Sequence, residues 1–172
     1  MKITAQEEYG LRCLLRLARA GRERSLTIPE IAAGEGLSVP YVGKLLSVLR
    51  QAGLIESERG RAGGYRLGAA PAAIGLGSVL LVLGEPLYDP DFCDRHAGTE
   101  SDGDCVHRNG CTLRALWQTL EYWLRRALDQ ITLADLLQNE GRFPALLESR
   151  LANVVSALPL INLDPKPRID LH

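Results

Sequence analysis

At 172 residues the chain has room for one domain of ordinary size with an extension, or for two small lobes, and it is long enough to bury a real core. Its 46% hydrophobic and 24% charged content is that of a soluble globular protein. The opening MKITAQEEYG is charged and unlike a signal peptide, and the longest apolar run, 69–84, is interrupted by Pro71 and glycines and is too short for a bilayer of ~30 Å. A membrane role is thereby excluded, and a cytoplasmic location is expected. The net charge of −1 hides an asymmetry: residues 1–70 carry 11 Lys and Arg against 7 Asp and Glu, a net +4, while residues 71–172 carry 9 against 14, a net −5. The first part can face a polyanion.

Residues 3–20 read as a helix with Tyr9, Leu11, Cys13, Leu14, Leu15 and Leu17 on its apolar side. Cys13 among leucines behaves as a small hydrophobe. Glu7 and Glu8 stand in the first turn, where carboxylates offset the helix dipole and are also able to ligate a metal. Thr27, three residues before Glu30, has capping-box spacing and opens a short helix. Residues 34–37 supply a turn, and Ser38 caps a second helix in which Val42, Leu45, Leu46 and Leu49 recur at helical spacing.

This is a helix–turn–helix pattern, and Ser38, Tyr41 and Lys44 lie off the apolar stripe near the N-terminal end of its second helix, the part of a recognition helix that enters the major groove. Residues 54–67 then form two short alternating runs around a loop holding Gly60, Gly63 and Gly64, the pattern of a β-hairpin wing. Arg59 and Arg61 at its tip suit phosphates or a narrow minor groove. The DNA-facing candidates are therefore Thr27, Ser38, Tyr41 and Lys44 from the helices, and Arg59, Arg61 and Gly63 from the wing.

The stretch 92–117 holds Cys93, Cys105 and Cys111 in a segment so rich in Asp, Gly, Ser and Asn that it cannot bury a core of its own. Thiolates on such a loop order it when they bind a soft metal centre. The spacing C-x11-C-x5-C lacks the paired C-x2-C of zinc ribbons and favours an iron–sulfur cluster. The alternatives are a disulfide plus a free thiol, three unconnected thiols, or a zinc site of Cys93, Cys105, His107 and Cys111. A reducing cytoplasm disfavours the disulfide.

The longest helix is expected over 113–131, with Leu113, Trp117, Leu120, Leu124, Ala127 and Ile131 spaced as the seam of a helix pair. Leu116 and Trp123 broaden that stripe enough for part of it to cover the first lobe. A short capped helix over 132–138 and an amphipathic stretch over 143–158 follow, and the Pro-containing end is expected to be extended. No Ser/His/Asp set or paired carboxylates suggest an enzyme.

The segments MKITAQEEYGLRCLLRLA, IPEIAAGEGLSVPYVGKLLSVLRQAGLIESERGRAGGYRLG and ALWQTLEYWLRRALDQITLADLL, with three cysteines after position 90, resemble the Rrf2 family of bacterial transcription factors, which includes IscR/NsrR-like iron–sulfur sensors. The resemblance spans about residues 1–138, and RG-x-x-GGY-x-L in the wing is its most specific element. It implies a mostly α fold: a winged helix–turn–helix with a small β-hairpin wing and a long dimerisation helix. The expected divisions are a DNA-binding domain over 1–70, a linking helix and cluster loop over 71–112, the dimerisation and C-terminal helices over 113–158, and a tail over 159–172. By that resemblance the protein is a homodimeric regulator, a repressor, that binds operator DNA and senses redox state, nitric oxide or iron–sulfur status. Its cluster, 2Fe-2S favoured over 4Fe-4S, is implied to sit on Cys93, Cys105 and Cys111. Where the IscR-like pattern has a histidine three residues after the third cysteine, this chain has Arg114, and its first cysteine interval is longer. The carboxylate-ligated relatives imply Glu8 of the other subunit as the fourth ligand, with His107 as the alternative and His96 a weaker one.

Overall fold

The first helix, α1 (Ala5–Ala20), begins at a reciprocal capping box that the chain pattern alone did not single out. Thr4 accepts from the Glu7 N–H, while Glu7 accepts the Thr4 N–H at 2.7 Å, so donors that a helix start would leave orphaned are satisfied. The computed structural model describes residues 3–156 apart from positions 59, 61–62, 90, 97–104, 106, 108–109 and 139. Arg59, Arg61 and the tail 159–172 therefore lie outside the described residues.

Helix α2 (Ile28–Glu35) carries the expected capping box of Thr27 and Glu30. It ends at Gly36, whose φ of 67° lies in the left-handed region that favours glycine and turns the chain into α3 (Val39–Gln51). Ser38 occupies the N-cap of α3 but its side chain makes no capping hydrogen bond. Pro40 has no N–H to offer, and the Tyr41 N–H is taken by the Ser38 carbonyl at 3.1 Å. Leu14 and Leu17 of α1, Ile31 of α2, and Val42, Leu45, Leu46 and Leu49 of α3 form one core, and Cys13 is wholly buried within it.

Strands β1 (Ile55–Glu58) and β2 (Gly64–Leu67) pair antiparallel, with Ile55 opposite Leu67 and Glu58 opposite Gly64. Ile55 and Leu67 point into the core, while Glu56, Ser57 and Glu58 of β1 are all exposed, so only the base of the wing is anchored in the core. Leu26 adds a third element, exchanging backbone hydrogen bonds with Tyr65 at 2.9 and 2.8 Å. That contact explains Gly64, since a Cβ there would stand 2.7 Å from the Leu26 carbonyl oxygen.

After the wing, a 3-10 turn (Pro71–Ala73) leads to α4 (Leu76–Leu83), which buries Val79 and Leu83. The short α5 (Phe92–His96) precedes the long α6 (Thr112–Leu128); 3-10 turns (Asp135–Leu137 and Glu140–Arg142) and α7 (Phe143–Ser156) complete the order. Helix α6 stops before the expected seam residue Ile131. The Ile131 carbonyl instead accepts the Leu76 N–H at 2.8 Å, Thr132 bridges Gly75, and the Ile131 side chain is buried. The chain leaves the helix to close a β-like bridge beneath α4. Among the described residues no helix is long and apolar enough to cross a membrane.

Candidate functional site

The N-terminal end of α3 presents Ser38 and Lys44 to solvent, and the Ser38 hydroxyl is left without a capping role. Tyr41 is half-buried: its ring meets Tyr9 of α1 edge-on, with centroids 6.0 Å apart at 84°. The Arg12 guanidinium lies 5.5 Å over the Tyr9 ring. Thr27, expected on the same face, has its hydroxyl engaged with Glu30, and the Thr27 N–H, followed by its hydroxyl, holds the Glu30 carboxyl below its ordinary value. Gly63 closes the wing turn through its N–H to the Gly60 carbonyl at 2.9 Å, and a Cβ there would lie 2.6 Å from the Glu58 carbonyl oxygen. At the wing's base Arg66 pairs with Glu56 at 3.3 Å and Glu58 at 2.8 Å, which offsets the acidic side chains of β1.

The loop cysteines Cys93, Cys105 and Cys111 are free and half-buried. Cys111 is the N-cap of α6, its Sγ accepting the Arg114 N–H at 3.4 Å, so the sulfur sits at the N-terminal end of that helix. The buried Tyr88 hydroxyl has no hydrogen-bond partner among the described residues, and its titration is affected by Cys93, Cys111 and Arg114. Burial pushes the Tyr88 hydroxyl up, the two cysteines push it further, and Arg114 opposes them. Among the described residues no three His, Cys, Asp or Glu side chains gather as a metal site. His96 stacks on Phe92, ring centroids 4.3 Å apart, with Nδ1 2.9 Å from the Phe92 carbonyl oxygen, while His107 is exposed in a turn.

Glu8 is remote from that pair in role: it is exposed on α1 and bound to Arg12 at 2.8 Å. It lines a groove of about 840 Å³ with Ile3, Leu81, Leu87, Leu124 and Leu128. The groove borders α6, which has no buried residue although one side of it is apolar. Leu113 is 62%, Trp117 43% and Trp123 44% exposed, while Leu124 and Leu128 of the same helix line the groove with α1.

A family model described as "Rrf2: Iron-dependent Transcriptional regulator" matches residues 3–139. The chain belongs to the Rrf2 family. A curated Rrf2 relative, the HTH-type transcriptional regulator NsrR of Geobacillus kaustophilus, is 38% identical over 151 residues, 87% of this chain and 99% of its own. Among solved structures, T. potens IscR is 31% identical with a TM-score of 0.61, covering 80% of this chain and 86% of that one. CymR, the global cysteine regulator of B. subtilis, is 34% identical with a TM-score of 0.60, covering 80% and 96%. These likenesses make the chain an Rrf2-family transcriptional regulator.

Proposed function

We propose that this Rrf2-family regulator acts as a homodimer on operator DNA and reports redox state, nitric oxide or iron–sulfur status through a cluster held by Cys93, Cys105 and Cys111, with Glu8 of the partner chain as fourth ligand. The reading is supported by the family match over residues 3–139 together with three free, half-buried cysteines, one of which caps α6. Soft sulfur donors suit an iron–sulfur centre. When bound, the cluster supplies one-electron chemistry and a target for oxidant or nitric oxide. The protein's own contribution is placement: Cys111 roots the loop at α6, whose exposed apolar face suits a second copy of the chain, while α3 and the wing face the duplex. In this division 1–70 reads DNA, 71–112 senses and 113–158 joins the subunits.

Iron and acid-labile sulfide are expected in protein purified without oxygen, with thiolate-to-iron charge-transfer bands in the visible spectrum. Colourless, iron-free protein that still binds its operator overturns the cluster. Three free, half-buried thiols support a second reading for that outcome, a cluster-free thiol sensor. Mild oxidation would then consume two thiols and change operator affinity together.

A further inference from the structure

Gly34 is an exposed residue within α2, and it does not have the positive φ that explains Gly36. An exposed helical glycine forgoes stability that alanine would supply, so its presence has to have another reason. Space provides one. A Cβ at Gly34 would fall on the Arg16 guanidinium of α1, overlapping Nη2, Cζ and Nε. The same guanidinium reaches Glu35, Nε to Oε1 at 3.5 Å, and the Glu35 side chain is only 12% exposed. Helix α2 has no basic residue in its last turn and ends on that carboxylate, the wrong charge for the negative end of a helix. Arg16 supplies from α1 the cation that α2 lacks. The Leu37 N–H donates to the Ala32 carbonyl at 3.0 Å, which ties the turn to the same end of α2 just before Ser38 opens α3.

We infer that Arg16 is a positioning residue for DNA binding: lying flat on Gly34 and paired with Glu35, it holds the end of α2, and with it the turn into α3, at the angle at which α3 meets the duplex. The inference rests on the DNA-binding reading above and is independent of the cluster. Gly34 belongs to the same device, because only a residue without a side chain leaves the guanidinium its place.

Full-length protein purified without oxygen first enriches a duplex from a random-sequence pool, and that duplex is the probe. Well below every melting transition, Arg16→Ala is expected to weaken binding by about tenfold, within the range by which contacting residues couple. The log–log salt slope should stay that of the parent, since no phosphate contact is lost. The guanidinium is the flexible end of a long side chain, so Gly34→Ala displaces it without unfolding α2 and is expected to cause a similar loss. With Arg16→Ala already present, Gly34→Ala is expected to cost no further affinity and to raise Tm, because alanine is then simply the better helix former. A lower Tm with unchanged affinity makes the pair merely structural and overturns the role. A slope flattened by ~1 unit makes Arg16 a phosphate contact and overturns it too, as do losses that add in the double variant. A parent that enriches no duplex overturns the DNA-binding reading and this inference with it, a result distinct from variants that bind as their parent does.

Discussion

Cys13 and Cys111 show how far one residue type is set by its surroundings. Cys13 has no exposed surface, and its burial, followed by the nearby charge of Glu35, pushes its thiol up to about 11. At pH 7 its thiolate fraction is roughly one in ten thousand. Native alkylation followed by peptide mapping should therefore label the loop cysteines first and Cys13 only after unfolding. Early labelling of Cys13 would mean that α1 opens readily. The fourth ligand is also a question for single residues. Glu8 bonds Arg12 through its Oε1, and a role as ligand would use its other oxygen. With Glu8 as ligand, Glu8→Ala yields a cluster that assembles anaerobically with an altered spectrum and responds faster to oxidant or nitric oxide. An unchanged spectrum in Glu8→Ala, together with a shifted one in His107→Ala, assigns the ligand to the loop.

At the scale of elements, α6 and the wing carry separate tests. An amphipathic helix that buries nothing in one chain keeps its apolar side for something else. Leu120 lies on that stripe, and Leu120→Asp introduces a carboxylate at a cost of at least ~1–3 kcal/mol per subunit if the stripe is an interface. Sedimentation should then find monomers, and a variant that sediments as the parent does would put the contact elsewhere. For the wing, Arg59→Ala or Arg61→Ala should weaken binding to all duplexes alike and flatten the log–log salt dependence by ~1 unit for each phosphate no longer neutralised. Titrations across a salt series measure that slope, and an unaltered value removes the residue from the DNA.

Across the whole molecule, Asp135 couples the end of α6 to α7. It accepts the Thr132 N–H at 2.8 Å and pairs with Arg150 of α7 at 3.2 Å. Burial pushes its carboxyl up, but Thr132 and Arg150 outweigh burial and hold it below the ordinary value of 3.8. Because the folded-state value is depressed, the ionised group contributes stability above the unfolded value and loses it as pH falls through the folded one. Asp135→Ala should lower Tm at neutral pH, with the gap to the parent closing below pH of about 4. A gap that stays constant into acid would show that packing, not charge, is responsible.

Local chemistry made most of the DNA-binding half legible in the chain itself. The capping box at Thr27, the turn before Ser38, the leucine spacing of α3 and the strand–glycine–strand pattern of the wing are near-neighbour features whose preferred conformations survive in the fold. The cysteine spacing likewise marked the loop as a candidate site. Contacts between residues distant in the chain were decided only in three dimensions. Leu26 joins the wing at Tyr65, Ile131 leaves its helical stripe for the Leu76 N–H, and the Leu87 N–H reaches Glu121 of α6. Periodicity records which side of an element is apolar, but not what that side meets. The partners of a backbone group, a phenol or a sulfur are set by how the chain closes on itself, and one-dimensional spacing contains no measure of that.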